Sequence, residues 1–316
     1  MPAPWLSVLI PAHNGERWVA SALESIASQP EAVGIECVLL DSTEDAATAK
    51  AAESFAPRMM LDIRHRPDLL PWQAKTNAAA AMARAPHLCM LHQDDLWLPG
   101  RAAAARRWIE AAPETVLHLN ASRIVDEQER SLGLWRCPLP AGRALAPGEL
   151  LDRLIVQNFV AIPAPIMRRD AYLRGGGLDE TLWYTADWDV YLRLGTSGEV
   201  RYHPEVLTAF RVHGSSLTVT GSRSAEAFEQ QMRTVLERYR TVVAGPGRDA
   251  VLRRAEVSIA VNVALASAMH GDTSRLPRTA LSLLGLGPLG LASFFRDTRL
   301  HERVLPRLRA RLLARS

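Results

Sequence analysis

Over residues 5–125, short apolar runs alternate with longer segments in which apolar residues recur at helical spacing. Short apolar runs rich in branched side chains have the length and composition of buried strands. These runs are WLSVLIP, IECVLLD, MMLDIRH and HLCMLHQ. Each is followed by a longer segment with helical spacing of its apolar residues, namely AHNGERWVASALESIASQ, DAATAKAAESF, PWQAKTNAAAAMARA and PGRAAAARRWIEAA. The pattern predicts strands that alternate with helices.

This alternation predicts an α/β, Rossmann-like fold with a mostly parallel sheet and helices on both faces. In such sheets ligands bind beyond the carboxyl ends of the strands. Asn14, Asp41 and the pair Asp94–Asp95 each follow a different predicted strand. We therefore expect three polar features to meet at one edge of the sheet.

The pattern is less regular after residue 125. A Pro/Gly-rich loop is predicted over 137–151, then a helix over 148–158, a strand over 164–169, and two strands around VRYHPEVLTAFRVHG. From residue 224 the pattern is helical. The sequence thus predicts a first domain over 1–222 and a C-terminal helical extension over 223–316.

Charge and cysteine usage narrow the classes of partner. The net charge is +3 over 316 residues, which does not provide the basic face that binding of nucleic acid requires. Cys37, Cys89 and Cys137 are odd in number and widely spaced, so they suit neither a disulfide framework nor a CxxC metal site. The start, MPAPWLSVLIPAHNG, lacks the basic and long apolar regions of a signal peptide. We expect a cytoplasmic protein with no nucleic acid partner.

The C-terminal segment combines an apolar run with a basic end. Thr279–Phe295 carries no charge over 17 residues, and seven arginines follow it. A spanning helix needs about 20 apolar residues, and this run is interrupted by Gly285, Gly287 and Pro288. Two interpretations stay open. The segment packs on the domain as a helical hairpin, or the basic tail makes peripheral contact with the inner face of the plasma membrane.

The stretch LHQDDLW places two adjacent carboxylates at the end of an apolar strand. Charged side chains are rarely buried without a partner, so a metal ion, an arginine or water is expected to meet Asp94 and Asp95. Magnesium is usually held by one or two carboxylates together with substrate phosphates, and a rigid strand end suits that arrangement. The alternative is that Asp94 caps the following helix and Asp95 is solvated.

Two later motifs carry further candidate residues. Asp187, in YTADWDVYLRL, begins a predicted helix, where capping and the helix dipole alone favour aspartate. Trp183, Tyr184 and Trp188 surround it as a candidate stacking wall, beside which a carboxylate is a reasonable general base. His213, in FRVHGSS, is a candidate metal or phosphate ligand, although a lone histidine after a strand is more often structural.

In their order along the chain, six motifs resemble those of the family 2 inverting glycosyltransferases with the GT-A fold. They are SVLIPAHNGERWVASALESIASQ, VLLDS, KTNAAAAMARA, LHQDDLW, TADWDVYLRL and FRVHGSS, within residues 5–220. The resemblance implies a metal-dependent enzyme of polysaccharide biosynthesis. It would move a sugar from a UDP- or dTDP-sugar to the hydroxyl of a saccharide or lipid-linked acceptor. The nucleotide-sugar half would be 1–125 and the acceptor half 126–222.

The resemblance also implies roles for individual residues. Those assigned to the nucleotide sugar are Pro11, His13 and Asn14 after the first strand, Asp41 on the uracil or thymine ring, Lys75 toward the diphosphate, Asn77, and Asp94 on the ribose or a metal-bound water. Asp95 matches the ligand of Mn²⁺ or Mg²⁺, with His213 nearby at the diphosphate. Asp187 matches the general base, and the aromatic wall of Trp183, Tyr184 and Trp188 lies on the acceptor side.

Some positions depart from the family pattern. His13 stands where the family commonly has Tyr, Gln93 where it often has Asp, and Ala186 where Glu usually precedes the base. DSTED keeps Asp41 but lacks the usual glycine. These departures leave a non-catalytic nucleotide-binding homologue as an alternative. A nucleotidyltransferase that makes sugar nucleotides is a second alternative, although PAHNGERW is not the Gly-rich, basic loop that such enzymes usually carry.

Overall fold

The computed structural model describes residues 3–214 and 224–313. The strands are Leu6–Ala12 (β1), Ile35–Asp41 (β2), Met60–His65 (β3), His87–Met90 (β4), Leu96–Trp97 (β5), Leu117–Val125 (β6), Ser131–Trp135 (β7), Ala144–Leu145 (β8), Ile166–Arg168 (β9) and Val200–Arg211 (β10). The helices up to residue 197 are Val19–Ala27 (α1), Ala47–Glu53 (α2), Trp72–Met82 (α3), Arg101–Ala111 (α4), Pro147–Leu154 (α5), Arg169–Arg174 (α6) and Ala186–Ser197 (α7). The C-terminal helices are Ala225–Tyr239 (α8), Arg248–Met269 (α9), Leu276–Leu284 (α10), Gly287–Thr298 (α11) and Leu300–Leu313 (α12).

The strands form one mixed sheet in the order β3-β2-β1-β4-β9-β6-β10-β5, with β7 paired to β6 and β8 to β10. β1 to β4 are parallel, as are β6 and β10, whereas β9 is antiparallel to both β4 and β6. Every residue of β1, β2 and β4 is buried, because helices cover both faces of the sheet. The predicted α/β fold is confirmed.

The two faces of the sheet have separate cores. One contains apolar side chains of α1 and α4, such as Leu23 and Trp108. The other contains residues of α3, α5 and α7, such as Ala79, Leu154 and Tyr191. α1 follows helical periodicity as expected, since its buried residues include Val19, Leu23 and Ile26.

The expectation of two strands around residues 200–214 is wrong, because β10 is a single strand that pairs in parallel with β6. Its register shifts between His203 and Val206, where Pro204 has no N–H to donate to the ladder. The strand is therefore continuous, and a shift of register lies where the sequence predicts a break between two strands. The β6–β7 hairpin also has no counterpart in the predicted elements.

The C-terminal helices contact elements of the preceding part of the chain, including α5, α7 and β7. α12 lies against β7, where Arg136 pairs with the nearly buried carboxylate of Glu302 at 2.5 Å. Within the described residues no single helix is long and apolar enough to span a membrane. α10 and α11 reach that length and composition only as a pair, and they are bent by 113° at their break. The predicted boundary at 222/223 lies outside the described residues.

Candidate active site

The carboxyl ends of β1 and β4 are joined by one glutamine side chain. Gln93 accepts a hydrogen bond from the backbone N–H of His13 at 2.7 Å and donates one to the His13 carbonyl at 2.8 Å. A Cβ atom at Gly15 would collide with the end of this glutamine side chain, so a larger residue there would displace Gln93 from its hydrogen bonds. Asn14, between His13 and Gly15, has a left-handed backbone with φ of 50°. The first-strand loop is therefore held against the loop that carries Asp94 and Asp95.

We expect Gln93→Glu to lower the free energy of unfolding by about 1–2 kcal/mol. Glutamate keeps the acceptor for His13 N–H but has no N–H for the His13 carbonyl, and it adds a charge beside Asp94 and Asp95. Urea unfolding measures the change. The control is Gln230→Glu on the exposed side of α8, expected to stay within about 0.5 kcal/mol of wild type. Equal stability of the two variants would show that the hydrogen bonds between Gln93 and the His13 backbone do not stabilise the fold.

The carboxylates of Asp94 and Asp95 have different environments. Asp94 Oδ2 lies 2.7 Å from His213 Nε2. Burial alone would raise the pKa of Asp94, but the hydrogen bond from His213 and the nearby His92 lower it. Asp95 is 1% exposed, and burial and the neighbouring Asp94 raise its pKa well above the usual value.

An arginine is one of the partners that the sequence led us to expect for this pair. The backbone N–H of Arg211 donates to Asp95 Oδ1 at 3.0 Å, and its Nε donates to the Asp94 carbonyl at 2.8 Å. The Arg211 side chain is buried and lies over the ring of Trp18, 4.6 Å from the ring centroid. Since the guanidinium binds the Asp94 carbonyl and not the carboxylates, both carboxylates still face the cleft.

The donor set fits a divalent cation shared with phosphate. In the two described ranges, no three His, Cys, Asp or Glu side chains are grouped so that they could hold a metal by themselves. Asp95 Oδ2, however, is buried and has no hydrogen-bond partner there. A hard cation bound by one or two carboxylates takes its remaining ligands from water and substrate phosphates. The pair Asp94–Asp95 suits that mode of binding. His213 hydrogen-bonds to Asp94 in this structure.

Asp187 lies in the first turn of α7 and lines the same cleft as Asp94 and Asp95. Its Oδ2 accepts a hydrogen bond from Asn158 Nδ2 at 2.9 Å. Burial raises the pKa of Asp187 to about 6, and the N–H of Trp188 and the Asn158 amide oppose this rise. Asn158 thus supports the carboxylate directly, at a site where Ala186 offers no polar group.

Aromatic side chains form much of the cleft wall. Of the predicted wall, Tyr184 and Trp188 line the cleft, while Trp183 is not among its lining residues. Trp188 is held by a hydrogen bond of 2.7 Å from its Nε1 to the Leu154 carbonyl. Trp72, which the sequence argument missed, lines the cleft as well. Flat apolar rings beside polar groups provide stacking surfaces for sugars or bases.

The C-terminal helices complete this cleft. Ser258 and Asn262 of α9 both donate to Gln157 Oε1, at 3.0 and 2.7 Å. Arg303 of α12 donates to Asn262 Oδ1 at 3.0 Å, and all four residues line the cleft. Since Gln157 adjoins Asn158, this polar row lies on the Asp187 side. The extension therefore contributes directly to the site.

Of the residues assigned to the nucleotide sugar, Asp94 lines the cleft, whereas the others are not among its lining residues, namely Pro11, His13, Asn14, Asp41, Lys75 and Asn77. Three of them, Asn77, Lys75 and Asp41, make hydrogen bonds within the protein. Asn77 accepts hydrogen bonds from Tyr172 and Leu178, and it buttresses that loop. Lys75 is buried, and its Nζ donates to the Ala12 carbonyl and to Ser42. Burial lowers the pKa of Lys75 to about 8. Both side chains are occupied by the protein itself.

Asp41 is the third of these residues. It is fully buried, and its carboxylate accepts hydrogen bonds from Thr43 and from the Ala49 N–H of α2. Two of these donors are backbone N–H groups, and the third is the Thr43 hydroxyl, which a glycine at this position would lack. Asp41 therefore shapes the loop here, and a contact with a base stays a prediction. His13 and Asn14 are exposed, whereas Pro11 is buried within β1.

Sequence reasoning missed several lining residues, including Trp72, His92, Trp135, Asn158, Phe210 and Asn262. Trp72 is partly buried and packs against the core beside α3. The others lie on elements whose approach to the cleft depends on long-range packing.

Comparison with known proteins shows which proteins this chain is similar to. Residues 7–152 match the model of glycosyl transferase family 2. The succinoglycan biosynthesis protein ExoU of Rhizobium meliloti is 27% identical over 242 residues, which cover 70% of this chain and 67% of that protein. An uncharacterised protein of Mycobacterium tuberculosis is 22% identical over 215 residues, covering 67% of this chain. The match spans 60% of the length of that relative.

Two solved structures share the fold. TarS of S. aureus in complex with UDP-GlcNAc has a TM-score of 0.55 at 14% identity, over 93% of this chain and 92% of that one. The mannosyltransferase PcManGT of Pyrobaculum calidifontis, in complex with GDP-Man and Mn²⁺, has a TM-score of 0.58 at 16% identity, over 98% and 88%. The fold is thus that of the GT-A class. Within that class, residues 7–152 are similar to the family 2 glycosyltransferases.

Proposed function

We propose that this protein is a metal-dependent inverting glycosyltransferase, which moves a sugar from a nucleoside diphosphate sugar to an acceptor hydroxyl. One observation carries the proposal. A carboxylate pair in the turn between β4 and β5, Asp94–Asp95, and a separate carboxylate of raised pKa, Asp187, line one aromatic-walled cleft. A protein that only bound nucleotides would not need Asp187.

Asp187 acts as the general base in this proposal. Its carboxylate takes the proton of the acceptor hydroxyl as that oxygen bonds to the anomeric carbon and the bond to the diphosphate oxygen breaks. A single displacement inverts the anomeric centre, and the nucleoside diphosphate leaves with the bonding electrons. A pKa of about 6 suits a base that works near neutral pH. The hydrogen bond from Asn158 orients the carboxylate.

Asp95 and Asp94 would hold Mn²⁺ or Mg²⁺ against the donor diphosphate. The bound cation would neutralise charge on the leaving group. The unpartnered Oδ2 of Asp95 supports this assignment, as does the Mn²⁺ named with the similar mannosyltransferase structure.

For the donor we propose a UDP- or dTDP-sugar. The similar TarS structure contains UDP-GlcNAc, whereas the similar mannosyltransferase contains GDP-Man. The guanine nucleotide is therefore the competing outcome. His13 and Asn14, exposed at the end of β1, are the donor contacts that we retain.

For the acceptor we propose a saccharide or a lipid-linked saccharide. Tyr184 and Trp188 provide a surface for sugar rings, and the similar ExoU is named for succinoglycan biosynthesis. We place the reaction in the cytoplasm. Cys37, Cys89 and Cys137 are all free thiols, which fits a reducing compartment.

Calorimetric titration of UDP, dTDP and GDP, each with Mn²⁺, Mg²⁺ or chelator, tests the donor assignment. We expect UDP or dTDP to bind with metal and to lose most of their affinity with chelator. Hydrolysis of the matching sugar nucleotides then tests the activity. Binding of none of the three nucleotides would refute the donor site. Binding without hydrolysis or transfer would favour the non-catalytic homologue, and incorporation of a sugar 1-phosphate into a nucleotide would favour the nucleotidyltransferase.

A further inference from the structure

The two short helices α10 and α11 expose an apolar surface. Leu281, Leu284 and Leu289 are 70%, 67% and 86% exposed, and Leu276 and Phe295 are exposed as well. Soluble proteins rarely expose so many large apolar side chains within one short segment. We call this surface, formed by the exposed apolar side chains of residues 276–295, the leucine face.

The opposite sides of the same helices are also apolar. Leu283, Leu286 and the buried Phe294 pack against Val257 and Val261 of α9. The leucine face is therefore not needed to attach these helices to the domain. Among the described residues, these helices therefore bury one apolar side and leave the leucine face exposed.

The charges around the leucine face are positive. Residues 273–296 contain three arginines and no aspartate or glutamate. Arg278 and Arg296 are exposed, and the exposed Arg253 of α9 donates to the Gly285 carbonyl at the break between the helices. Arg275 is compensated by two glutamates of α8, and Arg296 lies 3.0 Å from the buried Asp297. Asp297 also pairs with Arg254, so the face keeps an excess of positive charge.

We propose that the leucine face docks on an anionic lipid bilayer, with its leucines at the level of the acyl-chain boundary and its arginines on lipid phosphates. The helices have 9 and 12 residues. They are thus about 14 and 18 Å long, less than the hydrocarbon core of about 30 Å. Short bent helices of this composition lie in the plane of the membrane surface. The inference does not depend on the proposed function.

Sedimentation of the full chain with vesicles tests the proposal. We expect binding to vesicles of phosphatidylcholine mixed with phosphatidylglycerol, and much weaker binding to phosphatidylcholine alone. Leu284→Ser and Leu289→Ser should each weaken binding by about tenfold, since each removes one leucine that the bilayer would bury. Arg278→Gln should weaken binding only to the anionic vesicles. The matched control is Leu70→Ser, because Leu70 is 61% exposed on the first domain and should leave binding unchanged.

Fluorescence of a labelled cysteine gives a second, independent readout. The native cysteines are buried, so a polarity-sensitive dye would label Leu289→Cys preferentially. Its emission should shift to the blue with anionic vesicles, whereas dye on Leu70→Cys should not respond.

Three results would overturn the proposal. One is an absence of vesicle binding by the wild type. The second is vesicle binding that the leucine substitutions do not change, which would mean that the basic tail and not the leucine face binds the lipid. The third is a dimer in light scattering that Leu284→Ser dissociates while vesicles bind neither form, because the face would then meet a second copy of the chain.

Discussion

Replacing Asp187 by Asn should lower kcat by about 10²–10⁴-fold, the usual contribution of a general base. The substitution keeps the shape of the side chain and a polar partner for Asn158, but it removes the site that accepts the proton. Donor affinity, measured by calorimetry, should change little, because Asp187 is assigned to the acceptor. A variant with near wild-type kcat would refute the role of Asp187.

The pH profile provides a stricter test of the same residue. Because Asp187 must be deprotonated to act, kcat/KM of the wild type should fall as the pH drops through about 6. Asn158→Ala removes a hydrogen bond that lowers this pKa, so the falling limb should move to higher pH. A purely structural role of Asn158 would lower activity without moving the limb.

Replacing Asp95 by Ala should weaken metal-dependent nucleotide binding by about 10³-fold, since a bound cation contributes several kcal/mol at a diphosphate. With the variant, Mn²⁺ and chelator should give the same weak isotherm. The measurement is calorimetric titration of the nucleotide that binds the wild type. A chelator response that persists in the variant would place the metal elsewhere.

Asp95→Asn is the matched control for folding. Its amide oxygen still accepts the Arg211 N–H, so the strand-end geometry is kept, but the charge is lost. Burial and Asp94 both disfavour the Asp95 charge in the folded protein. We therefore expect this variant to melt at the same or a higher temperature than wild type, while metal-dependent binding is lost. Such a gain in stability with loss of function is typical of a binding site.

The local pattern of the sequence determined the nucleotide half of the fold. β1 to β4 and the intervening helices follow from the apolar runs and the helical spacing between them, since β1, β2 and β4 are fully buried and only β3, at the edge, is partly exposed. The position of Asp187 at a helix start follows as well, whereas Asp94–Asp95 lie in the turn between β4, which already ends at Met90, and β5. Parallel strands bring their carboxyl ends to one edge, so this part of the site needed no knowledge of distant contacts.

The tertiary structure decided the rest, because long-range contacts have no local signature. β9 inserts antiparallel between β4 and β6, and α9 and α12 close the cleft from about a hundred residues away in sequence. Likewise, only the fold shows that Asn158 supports Asp187 and that Gln93 binds the His13 backbone. It also shows that hydrogen bonds within the protein occupy Asp41, Lys75 and Asn77. Residue type predicts what a side chain is able to bind, whereas packing decides which partner it meets.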